Sequence, residues 1–544
     1  MPSDRPPAHR VALALLATVT VLAACTTGPD EPRNPTPGTI AIPTALRVGI
    51  AEPLSIDPAR VDSAGGLLVV SHLFDGLVEA DPRGGSPASA AAASWDVQEG
   101  GRVIEFTLRP GAEFHDGTPV TAGDFAFAWT RLADPETHSP YAFLLETVAG
   151  YREFHTLREA TELSGVEAVD ARTLRVTLTR AWPGFVALAA HPALSPVPPS
   201  ASGVDFDAEP VGNGPYRIAE PWNLGQPILL ERAEVAAGRL PPIHRLEFDV
   251  YETAEEAWPD FLAGDLDIAS VPPTLIPEAE SRFGEAGFVT LARLLYCGFN
   301  LAREPFEEAR LRRAVSLAVD REALAGGVYG ALGEPAAAIV PPSLRGHDPD
   351  ACGGNCEPDV VEAARLVSGL PADHRAFRLQ VIASDVGEQL GETLAGQLNR
   401  VGLEVTPQLL DEEAFSARLQ AGTQEAFCLV WDADSATQQG MLEPLLMKGS
   451  PDNHSRVQNK RIDTALAGAR AASTAAAQVE AYQRVERIAL QILPLVPLVW
   501  FRSHVVAQPY VRGFEVDPLG MFDASEMELE PEEPAPTAGP SLTP

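Results

Sequence analysis

The stretch Val103-Ile-Glu-Phe-Thr-Leu-Arg109 alternates apolar and polar residues, then breaks at Pro110-Gly111. A period of two closed by a turn pair predicts a strand with one buried face. Leu46 to Ile50 reads as an earlier strand closed by Pro53, and Leu174 to Leu178 as a later one. Helical spacing takes over after Thr121. That residue is a good N-cap, Asp124 falls three positions on, and Phe125, Phe127, Ala128, Trp129 and Leu132 supply a wide apolar face. Arg310 to Leu324 predicts a helix with Leu311, Val315, Ala318 and Val319 inward. Gly391 to Val401 predicts another, leading through Gly402 into the strand Leu403 to Val405. Ala475 to Leu493 predicts a further helix, stopped by Pro494. Strands and helices alternate irregularly, which points to an α/β protein with mixed sheets.

The chain has 544 residues, more than one core usually holds, so at least two lobes are expected. Its start departs from the globular pattern. Arg5, His9 and Arg10 precede an apolar run from Val11 to Leu22, followed by Ala23-Ala24-Cys25. This is the layout of a secretory signal peptide over residues 1–24, and the run is shorter than the roughly 20 residues a membrane span needs. Leu22-Ala23-Ala24-Cys25 also resembles a bacterial lipobox, which makes Cys25 the expected lipidation site. Residues 25–44, rich in proline, are then an extended tether. The mature chain is expected outside the cytoplasm, lipid-anchored to the outer face of the cell membrane or periplasmic. From Asp523 onward an acidic, proline-rich stretch reads as a disordered tail, 523–544.

With 75 acidic and 40 basic residues the formal charge is −35, which argues against nucleic acid or anionic lipid as partners. Four cysteines lie beyond Cys25: Cys297, Cys352, Cys356 and Cys428. In an exported chain they can form disulfides, with three possible pairings. The Gly/Pro/Asp-rich loop around Cys352 and Cys356 favours a local bridge, leaving Cys297 with Cys428; a metal site is the weaker rival, since no convincing zinc spacing is present.

Catalytic motifs are missing. There is no Gly-x-Ser-x-Gly, His-Glu-x-x-His or phosphate loop, and no cofactor is implied. Gly212-Asn213-Gly214 starts like a dinucleotide fingerprint but runs into Pro215, so a tight turn is expected. His115, beside Asp116-Gly117, also suits a turn. Asp432-Ala433-Asp434 lacks the later residues of a calcium loop.

Several separated blocks instead resemble the extracellular solute-binding proteins of peptide/nickel-type ABC importers. They are Phe106 to Phe125, Gly212 to Tyr216, Phe299-Asn300 with Pro305-Phe306 and Arg312-Arg313-Ala314, Asp320-Arg321-Glu322, and Pro494 to Leu498. Arg131 to Ala142, His191 to Pro198 and Trp431-Asp-Ala-Asp434 are similar to the oligopeptide-binding branch. The resemblance implies a two-lobed periplasmic-binding-protein clamp of the class C type, with three domains, mixed sheets and a two-strand hinge. Implied boundaries are 45–74, 199–298 and 502–522 for lobe I, 75–198 for an additional domain packed on it, and 299–501 for lobe II.

For function the resemblance implies a lipoprotein receptor, monomeric and without enzymatic activity. It would capture oligopeptides by lobe closure and deliver them to an ABC permease with its ATPase subunits. Asp434 would pair with the peptide ammonium, Trp431 would wall the cleft and Tyr141 would touch ligand. Asp62 and Ala64 would line the cleft, and Phe501 would stand at the lobe boundary. Relatives carry basic residues shortly before the Trp, suited to a peptide carboxylate. Here Leu419 to Val430 has none, and Cys428 occupies one such place. Ser435 to Gln439 also departs from the usual aromatic and proline residues. The alternatives are the same fold binding an oligosaccharide, a metal chelate or another small solute, or a surface lipoprotein with an enzymatic or adhesive role.

Overall fold

A computed structural model of the chain describes residues 45–81, 85–202, 206–234, 240–472 and 474–530. The signal peptide, Cys25 and the tether lie outside these residues. Among them, two six-stranded sheets and one four-stranded sheet carry most of the ladder hydrogen bonding.

The first sheet gathers strands from distant parts of the chain. Its order is Val505–Ala507, Ile268–Ser270, Leu46–Ala51, Arg245–Tyr251, Ile228–Arg232, Tyr216–Ile218. Leu46–Ala51 runs parallel to both neighbours. Leu46, Val48 and Ile50 are buried in alternation with half-buried Arg47 and Gly49, so one face meets the core. Arg47 is itself anchored: its guanidinium donates to Asp267 Oδ1 at 2.8 Å and to Gly264 O at 2.8 Å.

The four-stranded antiparallel sheet contains Ala92–Gln98, Val103–Leu108, Thr173–Thr177 and Val166–Asp170. Ile104, Phe106 and Leu108 are buried, as the alternation requires. The helix Ala122–Ala133 packs beside this sheet and starts at Thr121, whose N–H and hydroxyl both donate to Asp124 Oδ2, at 2.7 and 2.8 Å. Gly212-Asn213-Gly214 docks on the end of the helix Ala64–Leu73. A Cβ on Gly212 would lie 1.9 Å from Leu73 O, and Asn213 exchanges hydrogen bonds with the Asp75 backbone at 3.1 and 3.0 Å. His115 joins the same turn, accepting from Gly212 N–H at 3.2 Å while its Nε2 meets Gly214 O at 3.1 Å. Both features are structural.

The second large sheet has the order Gly333–Pro335, Leu495–Arg502, Thr290–Phe299, Ala426–Asp432, Ala376–Ile382, Glu404–Leu410. Cys297 and Cys428 face each other across the antiparallel pair and are disulfide-linked, with Cα atoms 4.0 Å apart. Cys352 and Cys356 form the second bridge. Two chain segments cross between the large sheets side by side. Val289 N–H donates to Ser503 Oγ and Ser503 N–H to Val289 O, both at 2.8 Å, and Val505 N–H reaches Gly287 O at 3.2 Å.

Four expectations need correction. The boundary at 298/299 cuts the strand Thr290–Phe299, which pairs entirely within the second sheet, so that sheet begins at Thr290. The helix expected over Arg310–Leu324 is two, Ala309–Ala318 and Arg321–Leu324; Asp320 is extended between them and caps the second by accepting from Ala323 N–H. The helix expected from Gly391 starts at Asp385, because Ser384 caps it through Gly387 N–H. Residues 523–530 are not a loose tail. Ala524 and Met527 are buried, Ala524 N–H donates to His72 Nε2 at 3.0 Å, and Glu528–Leu529 pairs with Val511–Arg512. The remainder of that stretch lies outside the described residues.

Candidate functional site

The strand Ala426–Asp432 carries Trp431 near its C-terminal end, and the chain then turns through Asp434 toward the helix Gln438–Leu446. Thr437 caps that helix by accepting from Gly440 N–H at 3.0 Å. Trp431 Nε1 donates to Gly440 O at 3.3 Å, which ties the strand end to the helix start and holds the intervening loop. Asp434 sits in this loop. It lines a small pocket with Ser435, Ala436 and Thr437 on its own side, and Ala187, His191 and Pro192 opposite.

The electrostatics of Asp434 are one-sided. Burial, followed by the negative charges of Asp452, Asp432 and Glu146, pushes its carboxyl up to about 7. Among the described residues it forms no ion pair and accepts no hydrogen bond. Asp432 differs: Arg293 lies 3.1 Å from it across the ladder. Asp434 therefore holds a carboxylate whose charged form lacks compensation, a costly state that an incoming cation would relieve.

Tyr141 faces the same corner. Burial raises its phenol, and the charges of Asp434, Asp62 and Asp432 raise it further, so these acids stand within electrostatic reach of its ring. The ring packs against His191 at 4.7 Å between centroids. Burial pushes His191 down to about 4, leaving it neutral at pH 7, and its Nδ1 accepts from Ala193 N–H at 3.1 Å. Asp62 is exposed and accepts weakly from Leu54 N–H at 3.4 Å. Ala64 opens the helix Ala64–Leu73, also exposed.

Of the six expected ligand residues, Asp434, Tyr141 and Asp62 are thus brought together, with Ala64 beside Asp62 and Trp431 supporting the loop from behind. Phe501 connects to this corner through Arg293, which pairs with Asp432. It lies near the hinge end of Leu495–Arg502, its ring edge-on to Tyr329 at 5.1 Å and beneath the Arg293 guanidinium at 5.1 Å. Asp452, Glu146 and His191 were missed as site residues. His191 stands in a quoted block, so its position was legible; Asp452 and Glu146 reach the corner only through the tertiary fold. Cys428 is buried and disulfide-bonded in the sheet, so that position offers no charge to a ligand.

No helix among the described residues is long and apolar enough to cross a membrane. The profile of the bacterial extracellular solute-binding proteins, family 5 (middle), matches residues 86–453. The chain is 29% identical over 487 residues to the probable deoxycholate-binding periplasmic protein YgiS of Escherichia coli, covering 85% of this chain and 89% of that one. It is 28% identical over 496 residues to the periplasmic oligopeptide-binding protein OppA of the same organism, covering 88% and 90%. Among solved structures it resembles the murein tripeptide-binding protein MppA in its unliganded open form, with 25% identity, coverage of 91% and 99%, and a TM-score of 0.76. A second MppA structure, from Escherichia coli, gives 0.66 at 25% identity and 89% and 98% coverage.

Proposed function

Because the chain belongs to the bacterial extracellular solute-binding proteins of family 5, a family of receptors rather than enzymes, we propose that its solute is a peptide. The peptide is taken between the lobes with its ammonium on Asp434. The observation that carries this reading is the raised, unpaired Asp434 carboxyl among three further acids. An ammonium placed there meets a carboxylate in a partly desolvated corner, where charge pairing counts for more than at the surface. Tyr141 and Asp62 face the same corner from the other lobe, so closure about the 287–290 and 502–505 segments brings them onto the ligand. Peptide backbone is recognised by strand-like hydrogen bonds, and side chains lie in wet pockets.

The names of OppA and MppA, both peptide binders, support a peptide over a sugar or a metal chelate. In this reading the chain hands its peptide to an ABC permease with its own ATPases. It acts outside the cytoplasm, as a monomer held by lipid on Cys25. The lobes are residues 45–74, 199–289 and 502–530 for the first, with 75–198 packed on it, and 290–501 for the second. Calorimetry with trialanine and N-acetyl-trialanine tests the site. The acetylated peptide, which has no ammonium, should bind at least about tenfold more weakly; equal affinities would remove Asp434 from its role.

A further inference from the structure

A cleft of about 990 Å³ opens between the Arg180–Ala187 loop and the three helices Gln438–Leu446, Lys460–Arg470 and Ala475–Ile492. Its size is at the upper end of the range that holds small organic ligands, roughly 300–1,000 Å³. It borders the small pocket of Asp434, sharing Gly85, Pro87, Ala187 and Thr437 with it, but Asp434 is not on its wall.

The chemistry of this wall is the reverse of the Asp434 corner. Arg180 and Arg345 both line it, and among the described residues neither is ion-paired with a carboxylate. Arg180 is half-buried, with one guanidinium nitrogen 3.3 Å from Met447 Sδ. Burial and the neighbouring Arg470 charge hold it below the usual arginine value, more than Glu146 and Glu443 offset. Arg470 is already spent: it grips Glu443 through two hydrogen bonds of 2.8 and 2.7 Å. Gln439 adds an independent signal. It lines the cleft, is only 7% exposed, and its Nε2 donates to nothing among the described residues. A buried amide without a partner is unfavourable, a cost that an acceptor on a ligand would remove. The remaining wall includes the apolar surfaces of Trp95, Val97, Val186 and Val479.

We propose that this cleft is a second ligand site, taking a small apolar carboxylate whose charge meets Arg180 and Arg345 and whose hydrocarbon lies on Trp95 and Val97. Arginine suits this task because its planar fork matches a carboxylate and is more weakly hydrated than an ammonium. The site stands independently of the role given to Asp434.

The test is calorimetry on the full-length protein with 2-naphthoate and its neutral isostere 2-naphthamide. Naphthoate should bind with a submillimolar Kd and naphthamide at least about tenfold more weakly. Arg180→Gln and Arg345→Gln should each weaken naphthoate about tenfold, whereas Asp434→Asn should leave it unchanged. Arg345 is exposed, so its variant carries the test even if Arg180→Gln folds poorly. Absence of naphthoate binding at millimolar concentration, equal affinity for both probes, or unchanged affinity in Arg345→Gln would overturn the proposal. Loss of peptide binding in Asp434→Asn with naphthoate retained would show two separate sites.

Discussion

Two neighbouring regions at the lobe interface carry unpaired charge of opposite sign. At the Asp434 corner, acids crowd a carboxyl with no cation beside it. In the adjoining cleft, Arg180 and Arg345 form no ion pair among the described residues, while Arg470 on the same wall is paired with Glu443, which also accepts from the Tyr482 hydroxyl. Some buried charges elsewhere are satisfied within the chain: Arg312 makes five hydrogen bonds to backbone carbonyls, and Asp57 receives Arg131. The difference teaches where to look for ligands. Arg470 and Arg312 are spent inside the chain, whereas Asp434, Arg180 and Arg345 line clefts and are open to a partner from solution.

The comparison breaks most visibly at Asp434. Asp434→Asn keeps the shape but removes the charge, so peptide affinity should fall by about a hundredfold, read by calorimetry. Unchanged affinity would place the ammonium elsewhere. The pH dependence comes next. The free carboxyl titrates at about 7 and the ammonium favours its ionised form. Affinity should therefore drop by up to about tenfold per unit as pH falls below 7, and fall again above about 8, where the peptide ammonium itself deprotonates.

A smaller effect of opposite direction concerns stability. Asp434 has a folded value above its unfolded one, so the ionised folded state is disfavoured. Its penalty is absent below about pH 4, grows as pH rises toward 7, and is complete above. Asp434→Asn should stabilise the ligand-free protein at pH 8 by on the order of 2 kcal/mol, seen as a higher Tm. A lower Tm would mean the carboxylate serves the fold. The smallest effect sharpens the separation: Arg180→Gln should change peptide affinity by less than about twofold, since its charge faces the other cleft. Peptide amides should likewise bind about as well as free acids, because Cys428 brings no charge to the strand before Trp431; a large loss on amidation would reveal another basic partner.

Much of the fold was legible wherever a local signal coincided with burial. The alternation of Val103 to Leu108 and the Thr121–Asp124 pair each correspond to an observed element. The apolar period running through Ala318 and Val319 hid the break at Asp320, whose capping role is visible only once the backbone turns. Ala524 and Met527 looked like part of an acidic tail because the bond that holds them comes from His72, far away in the chain. The candidate site divides in the same way. Asp434 was legible because it ends a compact Trp431-Asp-Ala-Asp block. The acids that raise it, and the arginines of the next cleft, come from separate elements and carry no local pattern.

The central claim is that binding a peptide ionises a largely protonated carboxyl at Asp434. Calorimetry of trialanine binding at pH 6, in two buffers of different ionisation enthalpy, counts the protons released. Release of close to one proton by the wild-type protein, and of none by Asp434→Asn with whatever binding remains, is the expected result. Tight binding with no proton released would contradict it.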